Sequence, residues 1–221
     1  MMDGNGFWDG LMPEGAAKLR ESGTRRRFPR GSTLLNEGDI AGRVMIVESG
    51  QVKIGCLSPD GKEILLAVRG PGQLLGELSA IDGEPVSASA TALEDVEVIS
   101  IPAPRFKELL SDTPSVALQL IHLLTQRLRD ADVKRGEFGT LDAVSRVARR
   151  LTEMAERFGD TTPEGVRINL SLSQDEIAGW TGSSRESVSK ALQALKSRGL
   201  IETHRKGITM LDLEGLRRRS E

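Results

Sequence analysis

The run Ser173-Gln174-Asp175-Glu176-Ile177-Ala178-Gly179-Trp180-Thr181-Gly182-Ser183-Ser184-Arg185-Glu186-Ser187-Val188-Ser189-Lys190-Ala191-Leu192 (residues 173–192) contains two helix starts in close succession. Ser173-Gln174-Asp175-Glu176 and Ser183-Ser184-Arg185-Glu186 both have the Ser-x-x-Glu pattern of a capping box, in which hydroxyl and carboxylate satisfy the free N–H groups of a first helical turn. Behind the first box Ile177 and Ala178 face inward. Gly182 stands where the corner between the helices needs a positive φ. Behind the second box Val188, Ala191, Leu192 and Leu195 recur at helical spacing. Arg185, Glu186, Ser189 and Lys190 are thereby left on the opposite face, at the helix's N-terminal end.

Two short β-type runs follow, Leu200-Ile201-Glu202 and Ile208-Thr209-Met210, around the basic tip His204-Arg205-Lys206-Gly207. Residues 172–210 therefore predict a winged helix-turn-helix. Its second helix would enter a DNA major groove by its first turn. There Arg185 can bond guanine O6 and N7 together, and Glu186 can accept from cytosine N4. Thr181, Ser183 and Ser184, in the turn and cap, join Ser189 and Lys190 in the expected DNA-binding set, with Arg205 and Lys206 on phosphates.

The charge balance is compatible with this reading only locally. The 221 residues carry a net charge of −2, yet residues 181–210 hold six basic side chains against two acidic ones. Distribution, rather than the sum, makes a phosphate-binding face. Arg25-Arg26-Arg27 with Arg30, and Arg217-Arg218-Arg219, read as solvated charge.

Upstream, residues 24–102 alternate short β-type runs with glycine corners: 44–47 before Ser49-Gly50, 52–57 before Pro59-Asp60-Gly61, 64–68 before Gly70-Pro71-Gly72, and 96–101 before Pro102. Asp60-Gly61 is a hairpin signal, and the whole predicts an antiparallel sandwich or barrel. From Pro114 the period becomes helical, with Ala117, Leu120, Ile121, Leu124, Leu128 and Ala131 on one face. That stripe either packs on its own β-domain or pairs with the same helix of a second subunit. The helix is expected to end near Gly136 to Gly139, followed by another over residues 141–158.

The segment Ser183-Ser184-Arg185-Glu186-Ser187-Val188-Ser189-Lys190-Ala191-Leu192 resembles the recognition helix of the cyclic-AMP receptor protein (Crp–Fnr) family of bacterial transcription regulators. Asn36-Glu37-Gly38-Asp39, Glu48-Ser49-Gly50, Asp60-Gly61-Lys62-Glu63 and Gly76-Glu77-Leu78 look like successive corners of that family's cyclic-nucleotide-binding β-roll. The resemblance implies an α+β chain: a double-stranded β-helix (β-roll) over residues 1–112, a long dimerisation helix over 113–136, and the winged helix-turn-helix over 137–221. It further implies a homodimer that binds double-stranded DNA at a palindrome with TGTGA-like half-sites and engages RNA polymerase. Lys190 stands where the founding member has arginine, and a lysine lacks the bidentate fork.

The same resemblance marks where the pattern fails. In relatives that bind cyclic AMP, Gly-Glu-Leu holds the ribose, an Arg-Ser pair holds the cyclic phosphate, and hydroxyls on the long helix reach the adenine. Here Gly76-Glu77-Leu78 is present, but the Arg-Ser position reads Val86-Ser87-Ala88, and the hydroxyl pair aligns with Ala131-Asp132. A phosphate stripped of its guanidinium loses a charge-assisted contact. Control by cyclic AMP is therefore not expected. Constitutive DNA binding or a different effector remains, with no cofactor, no metal and no membrane partner. A signalling module whose C-terminal domain contacts protein is the alternative.

A single cysteine, Cys56, excludes an intrachain disulfide framework. His122 and His204 are the only histidines, and there is no Walker loop or nucleophile elbow, so no catalytic constellation is visible. No apolar run approaches the roughly 18 residues of a bilayer span, and residues 1–10 lack a signal peptide's basic and apolar regions. The expected location is cytoplasmic.

Overall fold

A computed structural model describes residues 6–57, 61, 63–168, 172–204 and 207–220. In chain order its elements are α1 (Pro13–Glu21), β1 (Thr24–Phe28), β2 (Thr33–Leu35), β3 (Arg43–Ser49), β4 (Val52–Leu57), β5 (Glu63–Arg69), β6 (Leu74–Leu75), α2 (Glu77–Asp82), β7 (Ser89–Ala92), β8 (Val96–Pro102), α3 (Ala103–Asp112) and α4 (Pro114–Thr140). There follow α5 (Ala143–Phe158), β9 (Asp160–Thr162), β10 (Gly165–Ile168), α6 (Gln174–Thr181), α7 (Arg185–Ser197), β11 (Ile201–His204), β12 (Gly207–Met210) and α8 (Leu213–Arg219). Contacts divide the chain into two compact units, residues 1–56 with 67–131, and residues 57–66 with 132–221.

The first eight strands form two four-stranded sheets, ordered β1-β8-β3-β6 and β2-β7-β4-β5. Strand β3 runs antiparallel to β8, Val44 opposite Ile101 and Ile46 opposite Ile99. Successive side chains of a strand point to opposite faces, and here both faces are covered. Val44, Ile46, Ile99 and Ile101 meet Phe106, Leu109, Val116, Leu120 and Leu123 from α3 and α4. Met45, Val47, Val96 and Val98 point the other way, against Val52, Ala90 and Ala92. This double burial explains why β3 reads as an unbroken apolar run. Of the expected Asp60-Gly61 hairpin, Gly61 has φ 78°; Asp60 and Lys62 lie outside the described residues.

The stripe assigned to the long helix resolves into two faces. Val116, Leu120 and Leu123 are buried against the helix's own roll, whereas Leu118, Ile121 and Leu128 stay 60–66% exposed. Ala131 is exposed as well. Of the stripe expected from sequence, Leu120 thus packs on the helix's own β-domain, while Ile121, Leu128 and Ala131 remain exposed. The helix ends at Thr140, next to the Gly136 to Gly139 stretch expected to close it. Two glycines each cost about 1 kcal/mol relative to alanine, but Glu137 between them is buried and bound by Arg149 and Arg150 of α5.

In the second unit α5 buries Val147, Ala148, Leu151, Met154 and Ala155. The two strands expected for the wing belong to a four-stranded sheet, β11-β12-β10-β9. Of the C-terminal arginines, read from sequence as solvated, Arg218 is exposed, while Arg217 and Arg219 also make ion pairs. Arg217 pairs with Glu156 at 2.8 Å, and Arg219 reaches Asp142 at 2.8 Å. Asp142 caps α5, accepting from the Ser145 N–H at 2.7 Å. That backbone bond first, and Arg219 second, holds the Asp142 carboxyl at about 2, below its ordinary 3.8. A depressed folded-state value means stability present above pH 3.8 and lost as pH falls toward 2. Asp142→Asn is therefore expected to flatten the fall in melting temperature between pH 4 and pH 2. Asp142→Ala should cost about 1 kcal/mol at neutral pH by urea denaturation.

Candidate nucleic-acid interface and effector pocket

Helix α6 begins with the expected capping box: Ser173 Oγ accepts from the Glu176 N–H at 3.1 Å, and the Ser173 N–H donates to Glu176 Oε2 at 2.8 Å. The second expected box does not form, and a simple N-cap stands in its place. Ser184, not Ser183, caps α7, accepting from the Ser187 N–H at 3.2 Å. Ser183 is held in the corner, its Oγ 3.3 Å from Thr181 O and 3.1 Å from Arg146 Nη2. Thr181 does not belong to the DNA-facing set. It is 1% exposed and its hydroxyl donates to Ile177 O at 2.8 Å, closing the last turn of α6.

Arg185, Glu186, Ser189 and Lys190 are all exposed on the first two turns of α7, while Val188, Ala191, Leu192 and Leu195 are buried beneath them. Arg185 lies 3.6 Å from Asp175 at the start of α6. The Glu186 carboxyl sits below its usual range because its own backbone N–H, then the Ser184 hydroxyl, bonds the charged form. It is thus an ionised acceptor at neutral pH. Arg205 and Lys206 lie outside the described residues.

Sequence reading missed what aims this helix. Arg146 of α5 donates from Nε to Thr181 O at 2.7 Å, from Nη1 to Leu141 O at 2.5 Å and from Nη2 to Ser183 Oγ. One guanidinium thereby satisfies oxygens from both ends of the corner. Its planar fork suits this, but nothing in the local pattern separates it from the other arginines of α5. Phe138 lies beside Arg146, 5.8 Å from guanidinium to ring centroid, and against Gly182. Gly182 has φ 56°, and a Cβ there would come within 2.3 Å of the Phe138 ring.

In the first unit, Gly76 turns the chain at φ 78° ahead of α2, with Arg43 O 2.9 Å from where a Cβ would stand. Glu77 follows, 4% exposed, and its Oε1 is bound by Arg127 of α4. Arg127 also donates from Nη2 to Leu74 O at 3.0 Å. Leu78 is exposed at 47%. Val86 is 7% exposed and fixed by its backbone, which bonds Asp39 O at 2.8 Å and the Gly38 N–H at 2.9 Å. Ala88 is buried next to an exposed Ser87; Ala131 and Asp132 are exposed, with Asp132 3.7 Å from Arg135. Burial pushes the Cys56 thiol up, away from a reactive thiolate. His122 is an exposed helical residue bonded to Gln126.

A cyclic nucleotide-binding domain model matches residues 25–113, and a Crp-like helix-turn-helix domain model matches residues 145–219. A CRP-like cAMP-activated global transcriptional regulator of Mycobacterium tuberculosis is 37% identical over 215 residues, 97% of this chain and 96% of the relative. The cyclic AMP receptor protein of Thermus thermophilus is 33% identical over 200 residues, covering 90% and 89%. Among solved structures, the c-di-GMP-responsive global regulator CLP of Xanthomonas campestris superposes with a TM-score of 0.77 at 25% identity, covering 90% of this chain and 99% of that one.

The corner is the testable element. Gly182→Ala forces a side chain into left-handed backbone, costing about 1–2 kcal/mol, and pushes Phe138 aside. Urea denaturation should show a loss of at least that size, and specific DNA binding should fall with it.

Proposed function

The chain belongs to the Crp–Fnr family of bacterial transcription regulators, and on that premise we propose that it is a homodimer that reads a palindrome with TGTGA-like half-sites independently of cyclic AMP. The family is regulatory, not enzymatic, and the helix-turn-helix makes this chain a DNA-binding regulator. Contact with RNA polymerase from a promoter-bound dimer, and a cytoplasmic location, belong to the same proposal. Among the described residues no helix is long and apolar enough to cross a membrane.

The observation that carries the effector reading is the side-chain set of the roll. Cyclic AMP brings one negative charge. The site that would receive its phosphate carries the buried, uncharged Val86, and the only arginine of the described residues bound to Glu77 is Arg127, which neutralises that carboxylate and ties α4 to the roll by a second bond to Leu74 O. Removing one partner of a buried ion pair costs about 3–5 kcal/mol, a factor of hundreds to thousands in affinity. The Glu77–Arg127 pair also fastens α4 without a ligand, which favours a dimer already competent for DNA. A DNA-binding reading rests on Arg185 and Glu186, exposed and adjacent at the start of α7.

Fluorescence anisotropy on a TGTGA-type palindrome tests both parts. Binding is expected in the absence of cyclic AMP, unchanged at micromolar cyclic AMP, and weakened about tenfold to a hundredfold by Arg185→Ala. A rise in melting temperature or operator affinity with micromolar cyclic AMP defeats the effector reading; unchanged binding by Arg185→Ala defeats base reading by that residue.

Dimerisation rests on the exposed Leu118, Ile121 and Leu128 of α4, spaced at intervals that keep them on one side of the helix. Ile121→Glu places a charge in the middle of that face. Sedimentation should then show a monomer where the unaltered chain is a dimer, with the helical circular-dichroism signal retained.

A further inference from the structure

The second unit contains a partly open cavity of about 160 Å³ beneath the helix-turn-helix. Its apolar wall is Leu151 and Met154 of α5, Ile168 of β10, Ile177 of α6, Leu192 of α7 and Ile208 of β12. Gln174, Thr203 and His204 are its polar lining, and His204 Nε2 lies 2.9 Å from Thr209 Oγ1. Among the described residues none that lines it is Lys, Arg, Asp or Glu.

Protein interiors pack densely, and voids larger than a water molecule are few. An apolar cavity of roughly 150 Å³ stays dry and accepts a benzene ring. The space here is of that size, and its mostly apolar lining includes the hydrogen-bonding side chains of Gln174, Thr203 and His204. It therefore suits a small aromatic carrying a single polar group. The absence of lining charge among the described residues argues against an anion or cation, because a buried ion needs a partner.

Its position matters as much as its chemistry. Leu192 belongs to the helix that carries Arg185 and Glu186, and Thr203, His204, Gly207 and Ile208 belong to the two wing strands. An occupant touches both elements at once and sets their spacing.

We propose that this cavity is a small-molecule site within the DNA-binding unit, taking a neutral single-ring or fused-ring aromatic with one hydrogen-bonding group, and that its occupation changes operator affinity. By linkage, operator DNA changes the affinity for the aromatic by the same factor. Nothing in this site depends on the roll, so it stands apart from the question of cyclic AMP.

The test is a titration of the full-length, methyl-labelled protein with phenol and with indole, followed by operator binding at saturating probe. The expected result is saturable shifts of the methyls of Leu151, Met154, Ile177, Leu192 and Ile208, and at least about a fivefold change in operator Kd. Leu192→Phe and, separately, Met154→Phe place a ring in the space and should abolish both effects, so failure of one variant to fold leaves the other. Absence of saturable shifts in the unaltered chain, shifts without a change in operator Kd, or shifts that persist in a folded filled variant each overturn the proposal.

Discussion

The Arg146 guanidinium is the contact on which the DNA-reading surface depends. A recognition helix is useful only if its first turn points outward at a defined angle, and that angle is set by a corner of three residues. Backbone oxygens exposed at the end of α6 must be satisfied, because an unpaired buried carbonyl is costly. Arg146 does this for Thr181 O while holding Ser183 Oγ and Leu141 O. The Thr181 hydroxyl turns back into α6 and Gly182 takes the left-handed conformation against Phe138. The direction of α7 follows, and with it the presentation of Arg185 and Glu186. The exposed side chains proposed to read bases are thus placed by the groups that hold the corner behind them.

The β-roll shows a comparable division of labour, with the opposite functional consequence. Double burial of β3 and β8 makes a rigid frame, and Gly76 brings Glu77 into it. A carboxylate that is 4% exposed needs a counter-charge, and here a residue of the protein supplies it, Arg127 from α4. Val86, buried and uncharged, itself offers a phosphate no counter-charge. The frame of a nucleotide-binding domain is kept while its electrostatics are satisfied from within, which is the physical basis for reading DNA binding as independent of cyclic AMP.

Local signals account for most of what could be read in advance. Glycine corners and alternating runs located strands β3, β4, β5 and β8, and the Ser173 box, the apolar spacing of α7 and Gly182 located the helix-turn-helix. Each of these depends on residues within a few positions of one another. Errors arose where a neighbouring choice was equally good locally. Ser183 and Ser184 are both able to cap a helix, and only the competing bond from Arg146, 37 residues away, leaves the capping role to Ser184. Thr181 is polar and lies in a turn, yet its hydroxyl is spent on the helix behind it. Gly136 and Gly139 do mark the end of α4, but the anchoring of Glu137 between them by arginines of the next helix has no local signal.

The sequence by itself determined the order of the modules, the identity of the exposed side chains at the start of α7, and that Val86 stands where the resemblance leads one to expect an arginine. Those are matters of residue type at a local pattern, and such patterns are written in the chain. Tertiary structure alone decided that α4 has two apolar faces, that Arg127 closes on Glu77, that Arg219 braces the cap of α5, and that Arg146 holds the corner. In each of the three ion-pair and clamp cases a long basic side chain finds an oxygen distant in sequence. Before folding, such an arginine looks like any other solvated charge; only packing selects its partner.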